Sequence, residues 1–207
     1  MPAAFVLASR MVESDPLSKH SLRRSALTLR AQVDAATRDA FAHRLAIEGV
    51  ALARRAFARS VAIFWPVGTE PDTLLMAQAL TYHEIIVALP CAGAMGEPLT
   101  FRGWKQGQAL VEGAMRIPEP SPGARQVQPD LIFTPMTAFD RRGYRIGYGG
   151  GYYDATLAQI RASRSAPAIG IAFANQEIAR VPEEEHDQPL DLILTESELI
   201  DCSLAWR

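Results

Sequence analysis

Runs of consecutive apolar residues recur along the chain and are its clearest structural signal. Two of them, residues 61–65 and 85–89, are each ended at once by a proline. Two more lie at residues 131–133 and 168–173, and a short fifth strand is predicted at residues 191–194, where Asp191 precedes three apolar residues. Strands without alternating polar positions are typical of sheets that are buried on both faces. The pattern therefore predicts a central sheet that is covered on its two sides.

Apolar residues at helical spacing fill the intervals between these runs. A first helix is expected to begin at Asp15-Pro16, because Asp caps helices and Pro fits their first position. Further helical stretches are predicted at residues 37–47, with a resumption after Gly49 to residue 57, at residues 73–82, and at residues 151–161.

Strands that alternate with helices predict one α/β domain over residues 15–207. We expect a three-layer α/β/α arrangement with a mostly parallel central sheet. Residues 91–129 carry many glycines and prolines, which predicts an irregular segment with one strand near residues 99–104. Residues 1–14 are expected to form a disordered leader, because their apolar run follows no basic region and is interrupted by Arg10.

Composition narrows the classes of function. The formal net charge is −2, so a nucleic-acid partner held by bulk positive charge is not expected. The two cysteines are too few for a disulfide framework or a four-cysteine zinc site. No apolar stretch reaches about 18 residues, so no membrane partner is expected. A cytoplasmic location is the default expectation for such a chain.

The charges are unevenly distributed along the chain. Residues 1–60 contain 10 Arg or Lys and 5 Asp or Glu, whereas residues 175–207 contain 2 and 9. One interpretation is two solvated faces of a single domain. The other is a basic wall for an anion together with an acidic tail that helps to hold a cation.

A glycine cluster is the main candidate for chemistry. Five of the 14 glycines lie between a predicted strand and a predicted helix, at Gly143, Gly147, Gly149, Gly150 and Gly151. Backbone N–H groups of such a loop, with the helix dipole behind them, suit a phosphate-like anion. Arg145 would add a positive fork, and Asp154 is placed to meet magnesium carried by a nucleotide. No Walker A motif is present, and a flexible tight turn is the alternative.

The surrounding segment resembles a known family signature. It reads Phe139-Asp140-x-x-Gly143-x-Arg145-x-Gly147-x-Gly149-x-Gly151-Tyr152-Tyr153-Asp154 and is similar to the signature of 5-formyltetrahydrofolate cyclo-ligases, also called 5,10-methenyltetrahydrofolate synthetases. The resemblance covers residues 17–196. Further segments agree with the family in order and spacing: Lys19-x-x-x-Arg23, Ile63-Phe64-Trp65-Pro66 with Glu70-x-Asp72-Thr73, Ile117-Pro118-Glu119-Pro120, and His186-Asp187-x-x-x-Asp191 with Thr195-Glu196.

The resemblance implies a ligase that uses ATP and Mg²⁺ to convert 5-formyltetrahydrofolate into 5,10-methenyltetrahydrofolate. The formyl oxygen would attack the γ-phosphate, N10 of the folate would attack the resulting iminium phosphate, and phosphate would leave. The protein's part in such a transfer is chiefly positioning and charge stabilisation. The implied partners are two small-molecule substrates, a reduced folate and ATP.

The resemblance also assigns residues to the nucleotide. Lys19 and Arg145 would be the catalytic cations, with Arg23 beside Lys19 on one helix face. An ordinary basic helix face is the alternative for that pair. Asp154 and Asp191 would be the magnesium carboxylates, although Asp191 alone reads as a strand-start residue. The implied ATP-binding set is Lys19, Arg23, Arg145, Gly147, Tyr148, Gly149, Gly150, Gly151, Tyr152 and Tyr153.

A second implied set would bind the folate. Glu70 would accept two N–H groups from the pterin edge, with a solvated loop charge as the alternative. Trp65 would form an apolar wall, and Trp104 would line the same pocket, with core packing as the alternative for both. Tyr148 and Tyr152 would contact substrate through ring faces or hydroxyls.

Two other functions stay open from the residues alone. A protein that binds 5-formyltetrahydrofolate without turnover would have no need for the Arg145, Asp154 and Asp191 set. A sugar-phosphate isomerase or transferase on a related α/β scaffold would need a general base near the phosphate loop, and the sequence nominates none.

Overall fold

A computed structural model describes residues 18–203 of the chain. The expected leader at residues 1–14 and the expected helix start at Asp15-Pro16 lie outside these residues. The helices are α1 (Lys19–Ala31), α2 (Ala35–Arg55), α3 (Leu74–Tyr82), α4 (Tyr152–Ser163) and a short 3₁₀ helix (Ala174–Gln176). The strands are β1 (Ser60–Ala62), β2 (Ile86–Cys91), β3 (Thr100–Gly103), β4 (Leu110–Glu112), β5 (Pro118–Pro120), β6 (Leu131–Pro135), β7 (Ala138–Phe139), β8 (Arg145–Ile146), β9 (Ala168–Ile171), β10 (Leu192–Leu194) and β11 (Leu199–Asp201).

Seven strands form the central sheet, in the order β11-β10-β9-β6-β1-β2-β3. The five inner strands run parallel, with Val61 of β1 opposite both Val87 of β2 and Leu131 of β6. The two edge strands, β3 and β11, pair antiparallel with their neighbours. The mostly parallel sheet that the apolar runs predicted is thereby confirmed.

Helices cover both faces of this sheet. Val61 and Ile63 face a core cluster that includes Leu45 of α2 and Met76 of α3. Ala62 points the other way, into a second cluster built around α4. Side chains along a strand alternate between the two faces, so a continuous apolar run serves both cores at once. The three-layer α/β/α arrangement is confirmed.

The starts of α1 and α2 are fixed by capping side chains. The Ser18 hydroxyl accepts a hydrogen bond from the Ser21 backbone N–H at 3.2 Å, and the Asp34 carboxylate accepts one from Thr37 at 2.9 Å. These bonds satisfy N–H groups that have no partner inside the helix. Among residues 18–203, no helix is long and apolar enough to cross a membrane.

The predicted interruption at Gly49 is wrong, because α2 runs without a break from Ala35 to Arg55. A Cβ atom at Gly49 would overlap the side chain of Met76 on α3. The glycine is therefore explained by the close approach of two helices and not by a helix end. Its cost in helix propensity, about 1 kcal/mol relative to alanine, is offset by that packing.

Three short pieces of sheet were not predicted within the described residues. The segment expected to be irregular holds the β4–β5 hairpin as well as β3, and β7 pairs with β8 just before the glycines. The last strand, β11, adds antiparallel to β10. Each of the strands that were not predicted has two or three residues, which is too short for an alternating pattern to be read.

Candidate functional site

The glycine segment, residues 143–151, connects β8 to the start of α4. Gly151 is the N-cap of α4, with φ of 68°, and no side chain caps this helix end. A positive φ is costly for residues that carry a Cβ atom. The first N–H groups of a helix have no acceptor inside it and attract anions. The local structure therefore favours a negatively charged ligand at this point.

The clustered glycines serve different purposes. Gly143 has φ of 88°, and a Cβ there would lie 2.5 Å from the Leu190 carbonyl oxygen. Nothing lies within 4 Å of where a Cβ of Gly147 would be. Gly143 is thus required by the fold, whereas the open space at Gly147 leaves room for a ligand there. Gly150 packs under the Tyr152 ring.

Helix α1 brings two basic residues to the glycine segment. Arg23 Nε donates to the Gly147 carbonyl oxygen at 2.6 Å. Lys19 Nζ lies 2.8 Å from Asp187 Oδ2 and 3.3 Å from Glu184 Oε1. These two carboxylates raise the pKa of Lys19 against the opposing effect of burial, which is the largest single influence on it. Arg23 therefore lies against the glycines, whereas Lys19, one turn earlier on α1, lies against acidic residues that precede β10.

Arg145 is buried at the centre of the site. Its Nη2 lies 2.8 Å from Asp154 Oδ1, and its Nη1 donates to the Gln188 carbonyl oxygen at 2.6 Å. Burial lowers the pKa of Arg145, and the neighbouring carboxylates of Asp154 and Asp187 oppose that shift. The guanidinium is thus held in place by groups from α4 and from the segment that leads into β10.

Asp191 has partners different from those of Asp154. Asp191 Oδ2 accepts from the Ala168 N–H at 2.8 Å and from Arg161, which lies in the last turn of α4. Asp154 is in the first turn, and the seven residue steps from Asp154 to Arg161 span about 10 Å of helix. Asp191 thus holds the start of β9, in keeping with the strand-start alternative.

Asp187 is the acidic residue that the sequence reasoning missed. It pairs with Lys19, its charge acts on Arg145, and the N–H of the next residue, Gln188, donates to Asp154 Oδ1 at 3.0 Å. Both Asp187 and Asp191 stand in the quoted acidic motif, four positions apart. Only the path of the backbone decides which of them faces Lys19 and Arg145.

Glu70 is buried and is not a solvated loop charge. Its Oε1 accepts from the Tyr148 hydroxyl at 2.8 Å and its Oε2 from the Val67 N–H at 2.8 Å. Burial raises the pKa of Glu70, and the hydrogen bonds and the Arg30 guanidinium oppose this shift. Burial likewise raises the pKa of Tyr148 to about 12. Tyr148 therefore joins the glycine segment to Glu70, the carboxylate that is predicted to bind the folate.

Aromatic residues of the predicted sets pack into both core clusters. Trp65 and Trp104 meet edge to face, with ring centroids 5.8 Å apart. Trp104 is buried in the core, and Trp65 is only partly buried and packs against it. Trp65 can thus serve both the core and an adjacent ligand. The Tyr152 hydroxyl donates to the Gly93 carbonyl oxygen at 3.3 Å, and burial raises the pKa of Tyr153.

The model of the 5-formyltetrahydrofolate cyclo-ligase family matches residues 16–196. This chain belongs to that family. The chain is 33% identical to the 5-formyltetrahydrofolate cyclo-ligase of Escherichia coli (strain K12) over 147 residues, which are 69% of this chain and 80% of that protein. It is 32% identical to that of Mycolicibacterium smegmatis over 187 residues, 87% and 94% of the two chains. The resemblance seen in the sequence is confirmed, and the chain is an ATP-dependent ligase of this family.

Solved structures agree with the fold of the cyclo-ligase. The 5,10-methenyltetrahydrofolate synthetase of Aquifex aeolicus superimposes with a TM-score of 0.75 at 26% identity, covering 89% of this chain and 92% of that one. The synthetase of Mycoplasma pneumoniae gives a TM-score of 0.68 at 21% identity over 89% and 99% of the two chains, which supports the fold alone.

Proposed function

We propose that this cyclo-ligase uses ATP and Mg²⁺ to convert 5-formyltetrahydrofolate into 5,10-methenyltetrahydrofolate, with release of ADP and phosphate. The observation that carries the proposal is a convergence of charges. Lys19 and Arg23 of α1 contact Asp187 and the Gly147 carbonyl oxygen. Buried Arg145 pairs with Asp154 at the start of α4, and Tyr148 donates to Glu70. Three cations at an uncapped helix end suit a polyphosphate, and a buried carboxylate next to them suits a folate.

The cations would act on the phosphates of ATP. Arg145 is 9% exposed, so its charge is little screened by water and acts strongly on the transferring phosphoryl group. Lys19 and Arg23 would offset the charge on the outer phosphate oxygens. The formyl oxygen is activated by receiving the phosphoryl group, and N10 then displaces phosphate from the iminium phosphate. Positioning of the two substrates is the protein's main contribution.

The donor set fits magnesium that arrives on a nucleotide. Mg²⁺ in such sites takes one or two protein carboxylates and completes its shell with phosphates and water. Among residues 18–203, no group of three or more His, Cys, Asp or Glu forms a metal site from protein alone. Asp154 and Asp187 are 24% and 13% exposed and face the same Arg145. We infer that these two would hold the ion, which would offset phosphate charge, and that Asp191 would not.

Glu70 and Trp65 would bind the folate, with the buried Trp104 packed behind Trp65. The Glu70 carboxylate lies beyond β1, where the parallel strands present their carboxyl ends, as ligand sites of open α/β sheets do. It would accept the N–H donors of the pterin edge, while Trp65 would cover a face of the ring.

The proposal is tested by mixing the purified protein with 5-formyltetrahydrofolate, ATP and Mg²⁺ and following the absorbance of the methenyl product. We expect product only when all three are present, and loss of product when the metal is chelated. Binding of the folate without any ATP-dependent product would instead identify a non-catalytic folate-binding protein.

A further inference from the structure

Arg30, in the last turn of α1, is a buried cation that the proposed reaction leaves unexplained. Its side chain is 4% exposed. Nε donates to Thr69 Oγ1 at 3.0 Å, and Nη2 donates to the Tyr148 hydroxyl at 2.9 Å. Nη1 is buried without a hydrogen bond and lies 3.8 Å from Glu70 Oε1. The Arg30 guanidinium therefore lies next to Glu70, the carboxylate that is predicted to bind the folate.

A buried guanidinium with an unsatisfied N–H is costly, and such groups call for an explanation. The facing Glu70 charge offsets part of this cost. Buried ion pairs contribute little to stability when compared with well-packed apolar residues of the same volume. Fold stability alone is thus a poor explanation for Arg30, whereas control of a neighbouring functional group explains its position.

The hydrogen bonds of Glu70 within the protein leave each carboxylate oxygen able to accept one more from a ligand. A carboxylate has about four lone-pair positions, two on each oxygen. The Tyr148 hydroxyl uses one on Oε1, and the Val67 N–H uses one on Oε2. One position remains on each oxygen, which is what two neighbouring N–H groups of a ligand require. Tyr148 is itself held by Arg30, so the plane of the carboxylate is fixed from behind.

We propose that Arg30 is a positioning residue for Glu70, and that the Tyr148 hydroxyl between them ties this pair to the glycine segment. The inference rests on the proposed function, in which Glu70 binds the pterin. Arg30 acts through Glu70 and does not touch the substrate. Its second effect is electrostatic, because a cation at 3.8 Å favours the ionised carboxylate that accepts the N–H groups.

The direction of the pH effect follows from the groups that face Glu70. These are Arg30 on α1, Tyr148 in the glycine segment and Tyr153 on α4. Burial raises the pKa of Glu70, and Arg30 opposes that rise. Removal of Arg30 should therefore raise the pKa of Glu70 further, so that folate binding weakens at a higher pH than in the unaltered enzyme.

The test compares Arg30→Gln, Arg30→Lys and Tyr148→Phe with Arg24→Gln, which removes the same charge from an exposed position of α1. The Michaelis constants for folate and ATP are measured from pH 5 to pH 8. We expect Arg30→Gln to raise the folate KM about tenfold at pH 7 and more at pH 5.5, with the ATP KM within about twofold. Arg30→Lys should restore the pH dependence of the unaltered enzyme, because it keeps the positive charge. It should lower the folate KM only part of the way, because an ammonium lacks the planar, two-pronged donor geometry of a guanidinium.

Tyr148→Phe should raise the folate KM about fivefold, and combined with Arg30→Gln it should add little, because both act through Glu70. A folded Arg30→Gln enzyme whose folate KM is unchanged, or whose two KM values rise equally, overturns the inference. Circular dichroism shows whether Arg30→Gln folds. If it does not, Tyr148→Phe replaces it in the test, and an unchanged folate KM or an equal rise of the folate and ATP KM values in that variant overturns the inference. Unaltered protein that neither binds folate nor forms product refutes the proposed function, and with it this inference.

Discussion

Three aspartates near α4 bind different partners, and these partners distinguish the roles of the three carboxylates. Asp154 pairs with buried Arg145, and Asp187 pairs with Lys19 of α1. Asp191 instead accepts from the backbone at the start of β9. Neutralising each carboxylate should therefore have a different effect on turnover and on stability.

We expect Asp154→Asn and Asp187→Asn to lower kcat by at least about 100-fold, because both leave a cation unbalanced and weaken the carboxylate pair proposed for Mg²⁺. Asp191→Asn should lower the free energy of unfolding by about 1–3 kcal/mol with kcat nearly unchanged, since a buried N–H loses its charged acceptor. The measurements are kcat as a function of Mg²⁺ concentration and thermal unfolding. An Asp191→Asn enzyme that loses turnover at unchanged stability would return that residue to the metal site.

The raised pKa of Glu70 gives a second prediction. Its carboxylate must be ionised to accept N–H groups, and burial moves its pKa above the usual 4.5. The folate KM should therefore rise as the pH falls through that raised pKa, by up to tenfold for each pH unit below it. Glu70→Gln should have a high folate KM at every pH without this acid dependence. The ATP KM, measured in parallel, should not follow the same curve; if it does, another group is titrating.

The chemical types in this site could be read from the sequence, but their partners could not. Lys19, Arg23 and Asp154 were predicted, and the structure brings them to one place. Asp187 and Asp191 are equivalent as residue types, so only the path of the chain separates them. Arg30 was missed because a basic residue on an exposed-looking helix carries no mark of burial in its sequence context.

The glycine segment shows how one element combines structural and ligand-facing positions. At Gly143 the chain turns between β7 and β8 with φ of 88°, against the backbone of Leu190. At Gly147 the surroundings are open. A count of glycines cannot distinguish these two situations, although they predict opposite results on substitution.

We expect Gly143→Ala to lower the free energy of unfolding by about 3 kcal/mol, because the left-handed backbone and the clash with Leu190 both oppose a Cβ atom. For a chain of this size the melting temperature would fall by about 6–12 °C. Gly147→Ala should leave the melting temperature nearly unchanged and raise the ATP KM. Equal losses of stability in the two variants would contradict the assignment of Gly147 to the ligand side.

Long apolar runs predicted elements better than glycines and prolines did. Burial on both faces leaves a signal that any packing must respect, so the parallel strands were found. Edge and hairpin strands such as β4 and β11 depend on which neighbour they meet, and that is a tertiary property. The interruption predicted at Gly49 was wrong for the same reason, since this glycine is required by the close approach of Met76 on α3.

At the scale of the whole molecule, the site is closed by a helix that is attached mainly through polar contacts. The buried residues of α1 are Ser21, Ala26 and Arg30, whereas α2 buries seven residues that are all apolar or glycine. The contacts of α1 with the rest of the site include Lys19 to Asp187, Arg23 to Gly147, and Arg30 to Tyr148. A helix with few buried apolar contacts belongs to the less stable parts of a fold.

We therefore expect amide hydrogens of α1 to exchange faster than those of α2 in the protein without nucleotide. Mg²⁺-ATP bound between α1 and the glycine segment would stabilise the docked helix by mass action, slowing exchange in α1 by up to about 100-fold at 100 times the dissociation constant. Exchange in α2 and α3, which pack together on the far side of the sheet from α4, should change little. Hydrogen–deuterium exchange read by mass spectrometry measures both regions in one experiment. Protection of α2 with none in α1 would mean that the nucleotide binds away from Lys19 and Arg23.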